Sequence, residues 1–178
     1  PEQVLSRALF RTAYAEHPCR HPVIGHLDLF NQLSRDELYA YYREKYSPDN
    51  LFLVIVGDVE SGAVVERVKD HLGSLERRRR APEVMPREPK QVGLREELVV
   101  FPTDLYRRRI SWPIPDGTHP DVPGIDLLAS ILGEGRSSRL YRAIREKKQL
   151  AHSVGAYAYT PSFTGQFIVS IDTESEKI

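Results

Sequence analysis

Residues 76–91, ERRRRAPEVMPREPKQ, constrain the fold more than any other stretch. Three prolines, many charges and few apolar residues leave this segment nothing to bury and several backbone positions unable to donate a hydrogen bond. It reads as a linker, so the chain divides into 1–75, a linker over 76–91, and 92–178. The arginine run raises the question of nucleic acid. No aromatic residues interleave with it, and 25 Lys plus Arg balance 25 Asp plus Glu across the chain, so a solvated connector is the expected reading.

The first part alternates helical and strand signals. Val4, Ala8, Leu9 and Ala13 recur at helical spacing and predict a helix over 2–16. Pro18, Pro22 and Gly25 then mark a loop reaching Asn31. Ser34 and Glu37 form a capping box, with Leu33 placed to staple onto Leu38, and predict a helix to about Tyr46 that stops before Pro48. LFLVIVGDV is short, apolar and β-branched, and predicts a buried strand ending at Gly57. Val64, Val65, Val68 and Leu72 stripe a following helix that Gly73 closes.

After the linker, LREELVVF and LYRRRISWPI predict two strands. DVPGIDLLASILG predicts a helix striped by Leu127, Leu128, Ile131 and Leu132. A second helix, capped by Ser137 or Ser138, follows the break at GEG, and HSVGAYAYT with GQFIVSIDT predicts a hairpin around PSFTG. The expected class is α+β, with antiparallel-rich sheets and helices packed on them. No apolar run approaches the roughly 18 residues of a membrane span. The single cysteine, Cys19, excludes an internal disulfide and leaves the redox compartment open. The chain starts on proline and ends on TESEKI, and both ends read as cut from a longer protein.

Two stretches resemble chemistry. In HPCRH, His17 and His21 stand four apart with Cys19 between them. On a helix that spacing puts two imidazoles on one face. Pro18 fits only a first helical turn, however, and Pro22 follows directly, so a helix between them is implausible. An extended stretch would put His17, Cys19 and His21 on one side, yet Arg20 brings positive charge where a water-activating metal site needs a carboxylate. A loop with surface histidines and no bound metal is expected. In GEGRSSRLY, Gly133 and Gly135 suggest a phosphate cradle, but Ser138 fills the third glycine slot and a helix precedes the run. A helix-to-helix turn needing free backbone at both glycines is the expected reading.

Together HPCRHPVIG, SRDELYAYYREKYSPDNLFLVIVGDV and GEGRSSRLYRAIREKKQLAHSVGAY resemble the pitrilysin/insulinase family of zinc metallopeptidases, in the branch that includes mitochondrial processing peptidase and its bacterial relatives. The resemblance covers nearly the whole chain in the family's order. It implies two similar α+β repeats closing like a clamshell on a peptide substrate, with 1–75 ending the first, zinc-side repeat and 92–178 beginning the second. It also implies that the zinc motif, H-x-x-E-H, lies upstream of this sequence. Neither H-x-x-E-H nor H-E-x-x-H occurs here, so zinc is expected in the full-length parent and no catalytic or metal residue in this chain. The implied substrate-side residues are Arg145, His152 and the glycine loop of Gly133 and Gly135. His152 stands where the family has tyrosine, and a neutral imidazole can donate one hydrogen bond as a phenol does. The alternative is that Arg145 is a surface helix residue and His152 a strand residue with a local partner.

The expected function is therefore part of a zinc-dependent endopeptidase, inactive by itself. The competing reading, to which the His152 departure leans, is a non-catalytic family member acting as partner or scaffold subunit. As incomplete repeats, both parts are expected to expose sheet edge or apolar surface and to self-associate or meet a homologous partner. The resemblance points to a bacterial setting, cytoplasmic or periplasmic.

Overall fold

The computed structural model describes residues 1–77, 84–174 and 176. The chain divides into two compact units, one made of Pro1–Ile24 with Met85–Ile178 and the other of Gly25–Val84. The sequence division at 76–91 falls elsewhere, and residues 78–83 of that linker lie outside the described residues. Residues 1–24 join the later part because its polar groups hold them. Glu88 accepts hydrogen bonds from the backbone N–H groups of Ala15, Glu16 and His17 at 2.7, 3.0 and 2.9 Å. Glu97 pairs with Arg11 and accepts from Thr12.

In the larger unit, helix α1 covers Glu2–Ala13, three residues short of the predicted end. Tyr14 turns extended, and the next three N–H groups go to Glu88 instead of to carbonyls one turn back. Strands β1 (Tyr106–Ile114), β2 (Ser153–Tyr159) and β3 (Gly165–Thr173) form an antiparallel sheet in the order β1-β3-β2. The hairpin and the LYRRRISWPI strand therefore form as predicted. LREELVVF does not: it takes no strand pairing, and Leu94, Leu98 and Val100 are exposed. A strand needs a ladder partner, and the described residues offer it none.

Side chains alternate across the central strand β3, and both its faces are covered. Phe167 and Val169 point to one face with Ile171 and meet Ala129, Ile125 and Leu132 of helix α5 (Val122–Gly133). Gln166, Ile168 and Asp172 alternate to the other face. There Tyr14, fully buried at the end of α1, donates from its hydroxyl to Thr164 O at 3.0 Å, and Phe10 packs edge-on to Tyr159 with centroids 5.2 Å apart. Burying that phenol pushes its pKa well up.

The smaller unit carries α2 (Leu27–Phe30), α3 (Arg35–Lys45) and α4 (Ser61–Leu72). The capping box is present, with Glu37 N–H donating to Ser34 Oγ at 3.3 Å and Ser34 N–H to Glu37 Oε2 at 2.8 Å. The buried strand expected at LFLVIVGDV is absent. Residues 51–56 form no ladder, and Phe52, Val54 and Val56 are 90, 70 and 92% exposed. The apolar run has the composition of a central strand but no neighbouring strand among the described residues of its unit. Among the described residues of 25–84 no apolar side chain is buried, so this unit has secondary structure without a core.

Candidate functional site

The stretch from Gly133 to His152 links α5 to β2. Gly133 is the last residue of α5, and a methyl group there would fall onto the backbone of Ala156, with its Cα 2.6 Å away. Its lack of a side chain lets the helix end sit directly on β2. This corrects the expectation of flexible backbone at Gly133: the residue is helical and needed for close approach. Gly135 does occupy the left-handed region, at φ 73.

The second helix begins at Arg139 and becomes a π-helical segment over Tyr141–Lys147. The predicted serine cap does not form. Ser138 is buried, and its hydroxyl is among the described buried groups without a hydrogen-bond partner. The segment ends with Lys148 N–H on Ala143 O and Leu150 N–H on Ile144 O, at 3.3 and 3.0 Å. Gln149 between them takes φ 54, a left-handed turn without glycine. That turn delivers the chain to His152 and β2.

Arg145 is exposed on the π-helical segment, its guanidinium carbon 5.0 Å from the centroid of Tyr141. The ring, one turn back, steadies a cation that faces solvent. His152 is also exposed, and its Nε2 lies 2.9 Å from Glu174 Oε1. Among the described residues no hydrogen bond or ion pair joins Arg145 to His152. Gly133 and the π-helical segment share a neighbour, since both lie against β2.

A polar cluster that the sequence reading missed fastens the start of β2. Asp172 accepts from Arg109 Nη1 and from Ser153 Oγ, each at 2.9 Å, and its carbonyl accepts from His152 N–H at 2.8 Å. Arg109 also reaches Glu2 Oε2 at 2.9 Å, tying α1 to the sheet. Burial alone would raise the Asp172 carboxyl, but the bonds from Arg109 and Ser153 outweigh it and hold the group below the usual carboxylate range. A shallow recess of about 280 Å³ beside this cluster is lined by Gln3, Ser6, Leu9 and Tyr157 together with Glu2 and Arg109. The available signal was a carboxylate near the end of the predicted strand, in SIDTE.

HPCRH is a 3-10 turn over Pro18–Arg20, capped by His17 Nδ1, which accepts from Cys19 N–H at 3.2 Å. His21 is exposed, but His17 is not the surface histidine expected: it is 3% exposed, with its ring 4.4 Å from that of Phe163 and 5.8 Å from that of Tyr14. One ring nitrogen is spent on the backbone and the other is enclosed by aromatic groups. Among the described residues no three His, Cys, Asp or Glu side chains gather where a metal ion could be held. These residues do not fit a zinc site, and no step is assigned to zinc within this chain.

This is an α+β unit with an antiparallel sheet between helices and, among the described residues, without a metal-binding set of its own. The Peptidase M16 inactive domain matches residues 32–178, and the chain belongs to the M16 peptidase family. It is 32% identical over 154 residues to the zinc protease PqqE of Helicobacter pylori, covering 85% of this chain and 35% of the relative. To an uncharacterized zinc protease, SCO5738, of Streptomyces coelicolor it is 31% identical over 161 residues, covering 85% and 34%. The chain thus spans about a third of the length of such curated relatives. A crystal structure of a protease from Helicobacter pylori superposes with a TM-score of 0.82 at 28% identity, over 98% of this chain and 43% of that one. The M16 inactive domain from Pseudomonas fluorescens superposes at 0.79 with 22% identity, over 99% and 42%, a likeness of fold. Among the described residues no helix is long and apolar enough to cross a membrane.

Proposed function

We infer that this chain is a non-catalytic part of a zinc-dependent endopeptidase, joining the end of the zinc-side repeat to the start of the substrate-side repeat, and that Arg145 and His152 serve the peptide held by the parent. The observation that supports the reading is the left-handed turn at Gln149, which separates the exposed Arg145 from the exposed His152. The names of the relatives support zinc and proteolysis for the parent. Arg145 projects from the last turn of its helix, where the dipole favours a cation. The guanidinium can support negative charge developing on a carbonyl oxygen. The water-activating step belongs to residues outside this sequence.

Steady-state kinetics of the full-length parent test this. Arg145→Ala should raise the barrier by about 2–4 kcal/mol, the usual effect of losing a preorganised donor. His152→Tyr should keep or raise activity and weaken its dependence on pH near neutrality. Unchanged kinetics in Arg145→Ala, with unfolding curves matching the parent, would overturn the assignment.

A further inference from the structure

His152 was expected to replace a phenol as a hydrogen-bond donor, and its surroundings argue otherwise. Its Nε2 lies 2.9 Å from Glu174 Oε1. An ionised carboxylate only accepts, so Nε2 must carry the proton in that contact. A neutral imidazole has one N–H. Spending it on Glu174 leaves Nδ1 as a bare acceptor.

The backbone under this contact is held firmly. His152 N–H donates to Asp172 O at 2.8 Å, Ser153 Oγ to Asp172 Oδ2 at 2.9 Å, and Thr173 Oγ1 to Leu150 O at 2.5 Å. Residues 150–153 and 172–174 are thus laced together on both sides of the imidazole. The charged residues flanking it in sequence and register are Asp172 and Glu174 at the end of β3 with Glu176 beyond, and Arg145, Glu146, Lys147 and Lys148 at the end of the π-helical segment. Asp172 is already engaged by Arg109 and Ser153, which leaves Glu174 as the carboxylate in contact with the ring.

We propose that Glu174 is a positioning residue that holds the proton of neutral His152 on Nε2 and leaves Nδ1 as the acceptor, so that His152 supports a substrate carbonyl only as the imidazolium. The proposal rests on the substrate-side reading of His152. In the neutral form Nδ1 accepts, and it suits a backbone N–H of an extended peptide. On protonation Nδ1 becomes a donor while Nε2 keeps its bond to Glu174, and the same side chain then suits a peptide carbonyl. The residue at the family's tyrosine position thereby becomes a proton-gated contact.

The test uses the full-length parent, selectively labelled with ¹⁵N-histidine, and steady-state cleavage of an unstructured peptide. Above the titration range of histidine, NMR should find His152 in the Nε2–H tautomer. Glu174→Ala should give a tautomer mixture, and Glu174→Gln, which keeps an acceptor oxygen, should restore it. In parallel, kcat/KM should rise about tenfold as pH falls through that range, the effect of one hydrogen bond from a charged donor. Glu174→Ala should flatten the rise and Glu174→Gln should retain it. An Nδ1–H tautomer, or a tautomer and pH profile that Glu174→Ala does not move, overturns the role of Glu174. Unchanged kinetics in both Arg145→Ala and His152→Ala overturns instead the substrate-side reading on which it rests.

Discussion

Glu88 shows how one side chain can set where a helix stops. Its side chain is 8% exposed, and it answers three consecutive backbone donors at the end of α1, with Arg95 Nη1 3.6 Å away. Burial would raise the carboxyl, but the three N–H groups and Arg95 together hold it below the usual carboxylate range. Its folded value is thus lower than its unfolded one. It adds stability above the ordinary titration range, near pH 4.3, and that contribution is lost as pH falls through the folded value. Glu88→Ala should cost about 2 kcal/mol in urea unfolding at neutral pH and little in strong acid. An equal cost at both extremes would refute the linkage. Gly133→Ala should be at least as damaging, by about 3 kcal/mol, because backbone of β2 has nowhere to retreat. Gly133 stands out in the sequence only as part of a glycine break, not for its contact with β2, and Glu88 does not stand out at all. Glu88 sits in a charged, proline-rich run that looks solvated, and nothing local distinguishes its buried carboxylate from the exposed ones beside it.

At the scale of elements, legibility followed the range of the interactions. The capping box at Ser34 and Glu37, the span of α5 and the β2–β3 hairpin are set by residues a few positions apart, and each forms as predicted, but the α5 stripe does not: Leu127, Leu128 and Ile131 are exposed, and Ile125, Ala129 and Leu132 pack against β3. LFLVIVGDV and LREELVVF have strand composition, but a strand also needs a distant partner, and the described residues supply none. The candidate site was not legible from the residues alone. Arg145 and His152 are singled out by the family resemblance, whereas Glu174, Asp172 and Arg109 come together only through the register of β1, β3 and β2. The Gln149 turn gives a prediction at this scale. A non-glycine residue at φ 54 is strained, so Gln149→Gly should stabilise the unit by about 1 kcal/mol, seen as a higher midpoint in urea. A lower midpoint would mean that the Gln149 side chain contributes more than its backbone costs.

At the scale of the whole molecule, the exposed run at 51–56 and the coreless 25–84 unit predict how the purified chain behaves. Extended apolar backbone without a ladder partner seeks one, so light scattering should show concentration-dependent association. The double substitution Val54→Lys and Val56→Lys should suppress it, and association unaffected by those charges would place the sticky surface elsewhere. In the proposed function, this M16 chain serves a substrate whose cleavage depends on residues outside it. The most direct measurement is turnover of an unstructured peptide, in zinc-containing buffer, by the purified chain and by the full-length parent side by side. The parent should cleave and lose activity to a chelator, while the chain alone shows no turnover. Chelator-sensitive turnover by the chain alone, or a correctly folded, zinc-loaded parent that cleaves nothing, would contradict it.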